Sequence, residues 1–131
     1  MELFTEEQRK QLLKNGQPEN RDKDHPPVVH LTLPGTNCEW LLSELDPENQ
    51  TIAFGLCDLG MGFPEMGYVD LEELQSLKVG PFGFSVFCNP LFEGKYPLTV
   101  YWRASKVHSC ITRDEKLLMQ VTHVKKSGCQ L

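Results

Sequence analysis

FGLCDLGMGFPEMGYVDLEEL, residues 54–74, decides how the rest of the chain is read. It carries four of the ten glycines (Gly55, Gly60, Gly62, Gly67), Pro64, and five carboxylates (Asp58, Glu65, Asp70, Glu72, Glu73). Apolar residues flank a glycine-rich centre, the pattern of two ordered elements joined by a tight, omega-like loop with positive φ at its glycines. Upstream, Thr51–Cys57 (TIAFGLC) has strand composition, and Gly55 inside it predicts a bulge or a close backbone approach. Downstream, Tyr68-Val69 predicts a short strand. Asp70 then caps a helix that packs Leu71, Leu74 and Leu77 inward.

Working outward towards the N-terminus, Glu39–Leu45 (EWLLSEL) is followed by the turn Asp46-Pro47-Glu48-Asn49, which predicts a second strand in a hairpin. Val28–Leu33 (VVHLTL) is β-branched, apolar and bounded by prolines, hence a further strand of an antiparallel meander. Residues 15–27 (NGQPENRDKDHPP) form a polar connection with three prolines, expected to be a flexible loop and a candidate lid. Thr5-Glu6-Glu7-Gln8 is a capping box that starts an N-terminal helix ending at Gly16. Towards the C-terminus, Gly80-Pro81-Phe82-Gly83 breaks the chain and Phe84–Phe87 predicts a strand. Pro97 opens a helix to about His108, although the alternation of Leu98, Val100, Trp102 and Ala104 also suits a strand. Thr112-Arg113-Asp114-Glu115 resembles another capping box, with Leu117, Leu118, Val121 and Val124 on one face of a last helix.

The expectation is a single α+β domain over residues 1–131: a small antiparallel meander, an N-terminal helix and two to three further helices. A chain of 131 residues with 40% hydrophobic and 24% charged residues supports one core and excludes a disordered chain. The net charge of −5 excludes general binding to nucleic acid or anionic membrane. That charge is unevenly placed. Residues 31–75 hold Glu39, Glu44, Asp46, Glu48, Asp58, Glu65, Asp70, Glu72 and Glu73 with no lysine or arginine, whereas basic residues dominate beyond Ser76. Five cysteines without a C-x-x-C pair, no basic-apolar leader and no span-length apolar run imply a reduced, cytoplasmic protein away from membranes.

Several chemistries compete for the central stretch and the residues around it. Its G-x-G lacks the third glycine of a dinucleotide fingerprint, Pro64 removes an amide donor, and no Gly-Lys-Ser/Thr follows. Asp58, Glu65 and Asp70 are candidate oxygen ligands or an acid–base pair, without the spacing of a calcium loop. Cys57 is a conceivable nucleophile given His25, His30, His108 and His123, and a small buried hydrophobe otherwise. His108, Cys110, His123 and Cys129 lack zinc-finger spacing. Met61, Phe63, Met66 and Tyr68 carry the strongest lead. Large apolar side chains among glycines are either pinned into the core or exposed as a contact patch, here with an acidic rim.

LFTEEQRKQLLKNG, HPPVVHL, WLLSELDP, IAFGLCDLGMGFPEMGYVDLEEL and FEGKYPLTVY together resemble the bacterial family known as domain of unknown function 2958, over about residues 3–108. The matching positions are Trp40, Asp58, Gly60, Gly62, Phe63, Pro64, Glu65, Gly67 and Tyr68. The resemblance implies a protein carried by conjugative plasmids, integrated elements and phages, near antirestriction and DNA-handling genes, with no catalytic residues to carry over. The chain departs from the family after Gly83, where Phe87-Cys88-Asn89-Pro90 replaces an acidic-basic-acidic run. Residues 110–131 form an extension beyond the resemblance.

The leading expectation is a non-enzymatic accessory protein of a mobile element. It would bind and inhibit or modulate a host or defence protein through the acidic central loop, using Trp40, Asp58, Phe63, Glu65 and Tyr68, with no cofactor or metal. In one version the 31–75 block imitates a phosphate backbone. A second expectation places nucleic acid on the basic C-terminal region (Arg103, Lys106, Arg113, Lys116, Lys125, Lys126), with Tyr101 and Trp102 stacking on bases. A third is a small carboxylate- or metal-dependent hydrolase using Asp58 and Glu65.

Overall fold

A computed structural model describes residues 3–126, with side chains to residue 122. Expectations for His123, Val124, Lys125, Lys126 and Cys129 therefore lie outside the described side chains. The elements run α1 (Glu6–Asn15), β1 (Val29–Thr32), β2 (Glu39–Asp46), β3 (Asn49–Asp58), β4 (Glu65–Asp70), α2 (Leu71–Ser76), β5 (Phe87–Cys88), α3 (Leu98–His108) and α4 (Glu115–Lys126). The strands form one antiparallel sheet in the order β4-β3-β2-β1-β5. The meander is as expected, and the α+β class holds with three helices after α1.

Alternation along the strands gives the sheet two apolar faces, and each is covered. Val29, Leu31, Trp40, Leu42, Leu45 and Ala53 face Leu12 of α1 and Leu71 and Leu74 of α2. Leu41 and Leu56 face the opposite way, against Leu98, Tyr101 and Ala104 of α3 and Leu118 of α4. The domain is thus a sheet between two helical layers. Strict alternation fails at Leu41-Leu42-Ser43-Glu44-Leu45, where the β2–β3 register shifts between Leu42 and Glu44. The extra residue restores Leu45 to the face of Leu42 and Trp40. The buried Asn15 side chain of α1 donates to the Ser43 carbonyl at 2.9 Å, so the bulge is fastened by the helix above it. Gly55, paired with Leu42 beside the bulge, answers the expectation of close approach: a Cβ there would lie 2.1 Å from the Leu41 carbonyl oxygen.

Helix ends follow the sequence in part. Thr5 and Gln8 form both arms of the expected capping box, and the Asp70 side chain accepts from the Glu72 amide at 2.9 Å. Pro97 is the N-cap of α3 and has no side-chain acceptor to offer. The cap comes from the 15–27 connection instead: Asp24 accepts from the Thr99 amide at 3.2 Å and from its hydroxyl, and the His25 carbonyl accepts from Leu98 N. A carboxylate there also complements the helix dipole. The same connection is stitched by Asn20 to the Lys14 carbonyl and by the His25 ring to the Asn20 carbonyl. A lid motion would have to break these bonds.

Three local expectations are corrected. Thr112 is not the cap of α4; it accepts from the Asp114 amide, and Asp114 in turn accepts from Lys116 N, so the helix opens at Glu115. Leu77 is 38% exposed because α2 ends one residue earlier. The fifth strand is Phe87–Cys88 rather than Phe84–Phe87, since Phe84 pairs locally with Val79 across the Gly80–Gly83 turn.

Substituting Gly55→Ala is expected to destabilise the protein by about 3 kcal/mol or more, because a methyl group must displace the adjacent strand's backbone. A urea denaturation midpoint close to that of the wild type would contradict this packing.

Candidate functional site: the β3–β4 hairpin

Asp58 ends β3 with a side chain only 2% exposed. Its two carboxylate oxygens have separate tasks. Oδ1 accepts from the Gly60 amide at 2.8 Å, closing a local turn, and Oδ2 accepts from the Ile111 amide at 3.1 Å, at the junction of α3 and α4. Gly60 and Gly62 then take φ of +78° and +86°, values open to glycine at little cost. Pro64 is buried where the chain re-enters the sheet. The loop base is therefore fixed to both the sheet and the helical layer.

Its tip is turned out. Leu59, Met61 and Phe63 are 59, 74 and 78% exposed. Tyr68, three rungs down β4, is 76% exposed, with its ring tilted against Phe54 at 5.1 Å between centroids. Glu65 is exposed beside Phe63. Large apolar side chains held out on a fixed hairpin form a contact surface rather than a core.

Of the five expected binding residues, the structure presents Phe63, Glu65 and Tyr68 on this hairpin. Trp40 is 2% exposed in the core opposite Cys57, and has almost no surface to offer a partner. Asp58 is likewise inside, where it shapes the loop. Sequence reasoning missed Leu59 as a member of the patch and Ile111 as the far anchor. Leu59 sat within the quoted stretch, whereas nothing local to Ile111 announces a bond to a residue 53 positions away.

The acidic character of the surface shrinks once partners are assigned. Glu39 Oε2 accepts from His30 Nε2 at 2.7 Å, while Asn89 donates to His30 Nδ1 at 3.1 Å, so this carboxylate serves a buried histidine. Asp46 accepts from Glu48 N and Asp70 caps α2. Burial raises the pKa of Glu44 against the opposing pull of His25 and Arg21. Asp46, Glu48, Glu65, Glu72 and Glu73 remain exposed, at the β2–β3 turn, at the start of β4 and on α2.

Both Asp58 oxygens are engaged by backbone amides, and Glu65 and Asp70 stand at opposite ends of β4, across from Cys57 and Ile52. Among the described residues no three histidine, cysteine, aspartate or glutamate side chains converge as a metal site. A groove of about 480 Å³ does lie beside the loop, lined by Cys38, Glu39, Asp58, Gly60, Cys110 and Ile111 among others. Burial pushes the Cys57 thiol up to about 11 and raises Cys88, which leaves both protonated and poor nucleophiles at neutral pH. The basic-region reading also changes: Tyr101 is buried, Lys106 lies 4.5 Å over the Trp102 ring, and Arg103 Nη1 is enclosed without a hydrogen-bond partner. No helix of the described residues is long and apolar enough to cross a membrane.

Asp58→Ala should cost about 3 kcal/mol, since it removes two charge-assisted bonds and strands the buried Ile111 amide. Chemical denaturation at neutral pH measures it, and a loss below about 1 kcal/mol would refute the anchoring role. In site-resolved alkylation at pH 8, Cys110, exposed where Cys57 and Cys88 are partly covered, is expected to react well ahead of those two. Equal rates would contradict the burial of the latter two.

No curated protein and no solved structure matches this chain. One family does, described as a protein of unknown function (DUF2958), and the match runs from residue 3 to residue 112. It takes in α1, the whole sheet, α3 and the Ile111 anchor, while α4 follows it. The geometry described above, with its buried aspartate and outward aromatic hairpin, is accordingly that of a member of the DUF2958 family, to which this chain belongs.

Proposed function

We propose that this chain is a non-enzymatic accessory protein that binds another protein through the β3–β4 hairpin. The supporting observation is the pairing of a hydrogen-bonded loop base with an exposed apolar tip. Asp58 holds the turn from inside, so Leu59, Met61 and Phe63 are presented without the ordering cost that a free loop pays on binding. Burial of one such side chain is worth about 1.5–3 kcal/mol. With Tyr68 and the exposed Glu65 at its margin, the patch has the aromatic centre and polar rim of a contact surface.

The setting follows from the resemblance to a family carried by mobile genetic elements: the partner is a host or defence protein in the cytoplasm, whose activity this chain inhibits or modulates. Phosphate mimicry is set aside in favour of apolar contact, because Glu39, Asp46, Asp58 and Asp70 are engaged within the fold by a buried histidine, turns and a helix cap. Binding driven this way depends weakly on ionic strength.

Affinity capture from bacterial lysate, with and without nuclease treatment, tests the proposal. A discrete protein should be captured in both samples and survive a rise in salt. Phe63→Ser should weaken capture at least about tenfold, equivalent to about 1.4 kcal/mol. Leu91→Ser, at a still more exposed position near the opposite edge of the sheet, should leave capture intact. Loss of capture with nuclease, or indifference to Phe63→Ser, would overturn the proposal.

A further inference from the structure

The outer edge of β4 is the second feature of this hairpin. β4 terminates the sheet, and among the described residues no backbone hydrogen bond joins Glu65–Asp70 to any element other than β3. Every second residue along it therefore presents an unpaired amide and carbonyl. Edge strands are commonly blunted by lysine, proline or a bulge. β4 has none of these: Met66, Gly67, Tyr68 and Val69 form an uncharged centre in regular register with β3, closed by Glu65 and Asp70 at its ends.

Those end charges say what can pair with it. Outward amides alternate along β4, so a second copy can pair only residues of like parity, as with Tyr68 against Tyr68, and such registers leave Glu65 and Asp70 of both copies without a counter-charge. A second copy therefore offers nothing to these end charges. A strand with basic residues at both ends is favoured at the same two positions, and exposed Glu72 and Glu73 beyond Asp70 add to the attraction. The centre sets its own preferences. Tyr68 stands exposed against Phe54 on the α3–α4 side, where a β-branched neighbour packs well. On the other side Gly67 pairs with Gly55, and a Cβ at Gly67 would have nothing within 4 Å. An aromatic side chain on the incoming strand fills that gap.

From this we infer that the free edge of β4 receives an extended segment of the partner protein, basic at both ends and apolar between, with an aromatic residue opposite Gly67. This rests on the protein-binding reading above and names the chemistry of the bound segment. The added strand continues the sheet by main-chain hydrogen bonds, while the tip at Leu59–Phe63 contacts the partner beyond it.

Blocked synthetic peptides test the edge without the natural partner. Arg-Thr-Val-Phe-Ile-Lys, antiparallel to β4, sets arginine against Asp70, phenylalanine against Gly67 and lysine against Glu65. Saturable binding is expected by fluorescence anisotropy, with slowed amide exchange confined to β4. The counterpart ending in glutamate at both positions should bind about tenfold or more weakly. Glu65→Lys should weaken the basic peptide by a similar factor and recover binding to Arg-Thr-Val-Phe-Ile-Glu, a charge-swap rescue that misfolding cannot mimic. Absence of binding up to peptide solubility, exchange protection elsewhere, or indifference to the charge swap would overturn the inference. Capture of a partner that depends on Phe63 alongside a peptide null would overturn the edge alone. Peptide binding without such capture would leave the edge standing and remove the tip.

Discussion

The carboxylate of Asp58 is the constraint on which the rest depends. One oxygen closes the turn that starts the hairpin loop and the other holds the Ile111 amide at the α3–α4 junction. A buried carboxylate is costly to desolvate and persists only when hydrogen bonds compensate it. Here they come from two separate parts of the chain, so the compensation also defines the geometry. The last residue of β3, the loop and the helical layer cannot move independently while both bonds stand.

That constraint separates the roles of neighbouring residues. The inward side of the hairpin is structural, with Asp58, Pro64 and Gly55 fixed by bonds and close contacts. The outward side, Leu59, Met61 and Phe63, is apolar and largely exposed. Fixing the first limits the freedom of the second, so that the apolar tip loses less entropy than a free loop when a partner covers it. The uncovered edge of β4 belongs to the same unit. Its two end carboxylates are complemented by a strand of opposite charge.

Much of the fold was legible in the sequence, for local reasons. Prolines, Asp46-Pro47-Glu48-Asn49 and the β-branched runs marked the meander, and Thr5 with Gln8 marked α1. What escaped was non-local. The doubled leucines of β2 look like a lapse in alternation until Ser43 bulges out and is held by Asn15 across 28 positions. Phe84–Phe87 has strand composition, yet Phe84 closes on Val79 and pairing with β1 begins at Phe87. The candidate site divided the same way. Phe63, Glu65 and Tyr68 were recognisable as an amphipathic hairpin, whereas Trp40 and Asp58 share that neighbourhood in sequence type and pairing but point inward. Strand parity settles Trp40, and the bond to Ile111 settles Asp58; neither is carried by the local motif.

Amide hydrogen exchange at Gly60 and Ile111, measured by NMR in the wild type and in Asp58→Asn, tests the central claim most directly. Two bonds to a buried carboxylate predict that Ile111 exchanges as slowly as the inner amides of β3, that Gly60 is also protected, and that both accelerate together on substitution while the far end of the sheet is unchanged. Fast exchange at Ile111 in the wild type, or protection that survives Asp58→Asn, would mean that the hairpin is held by something other than Asp58.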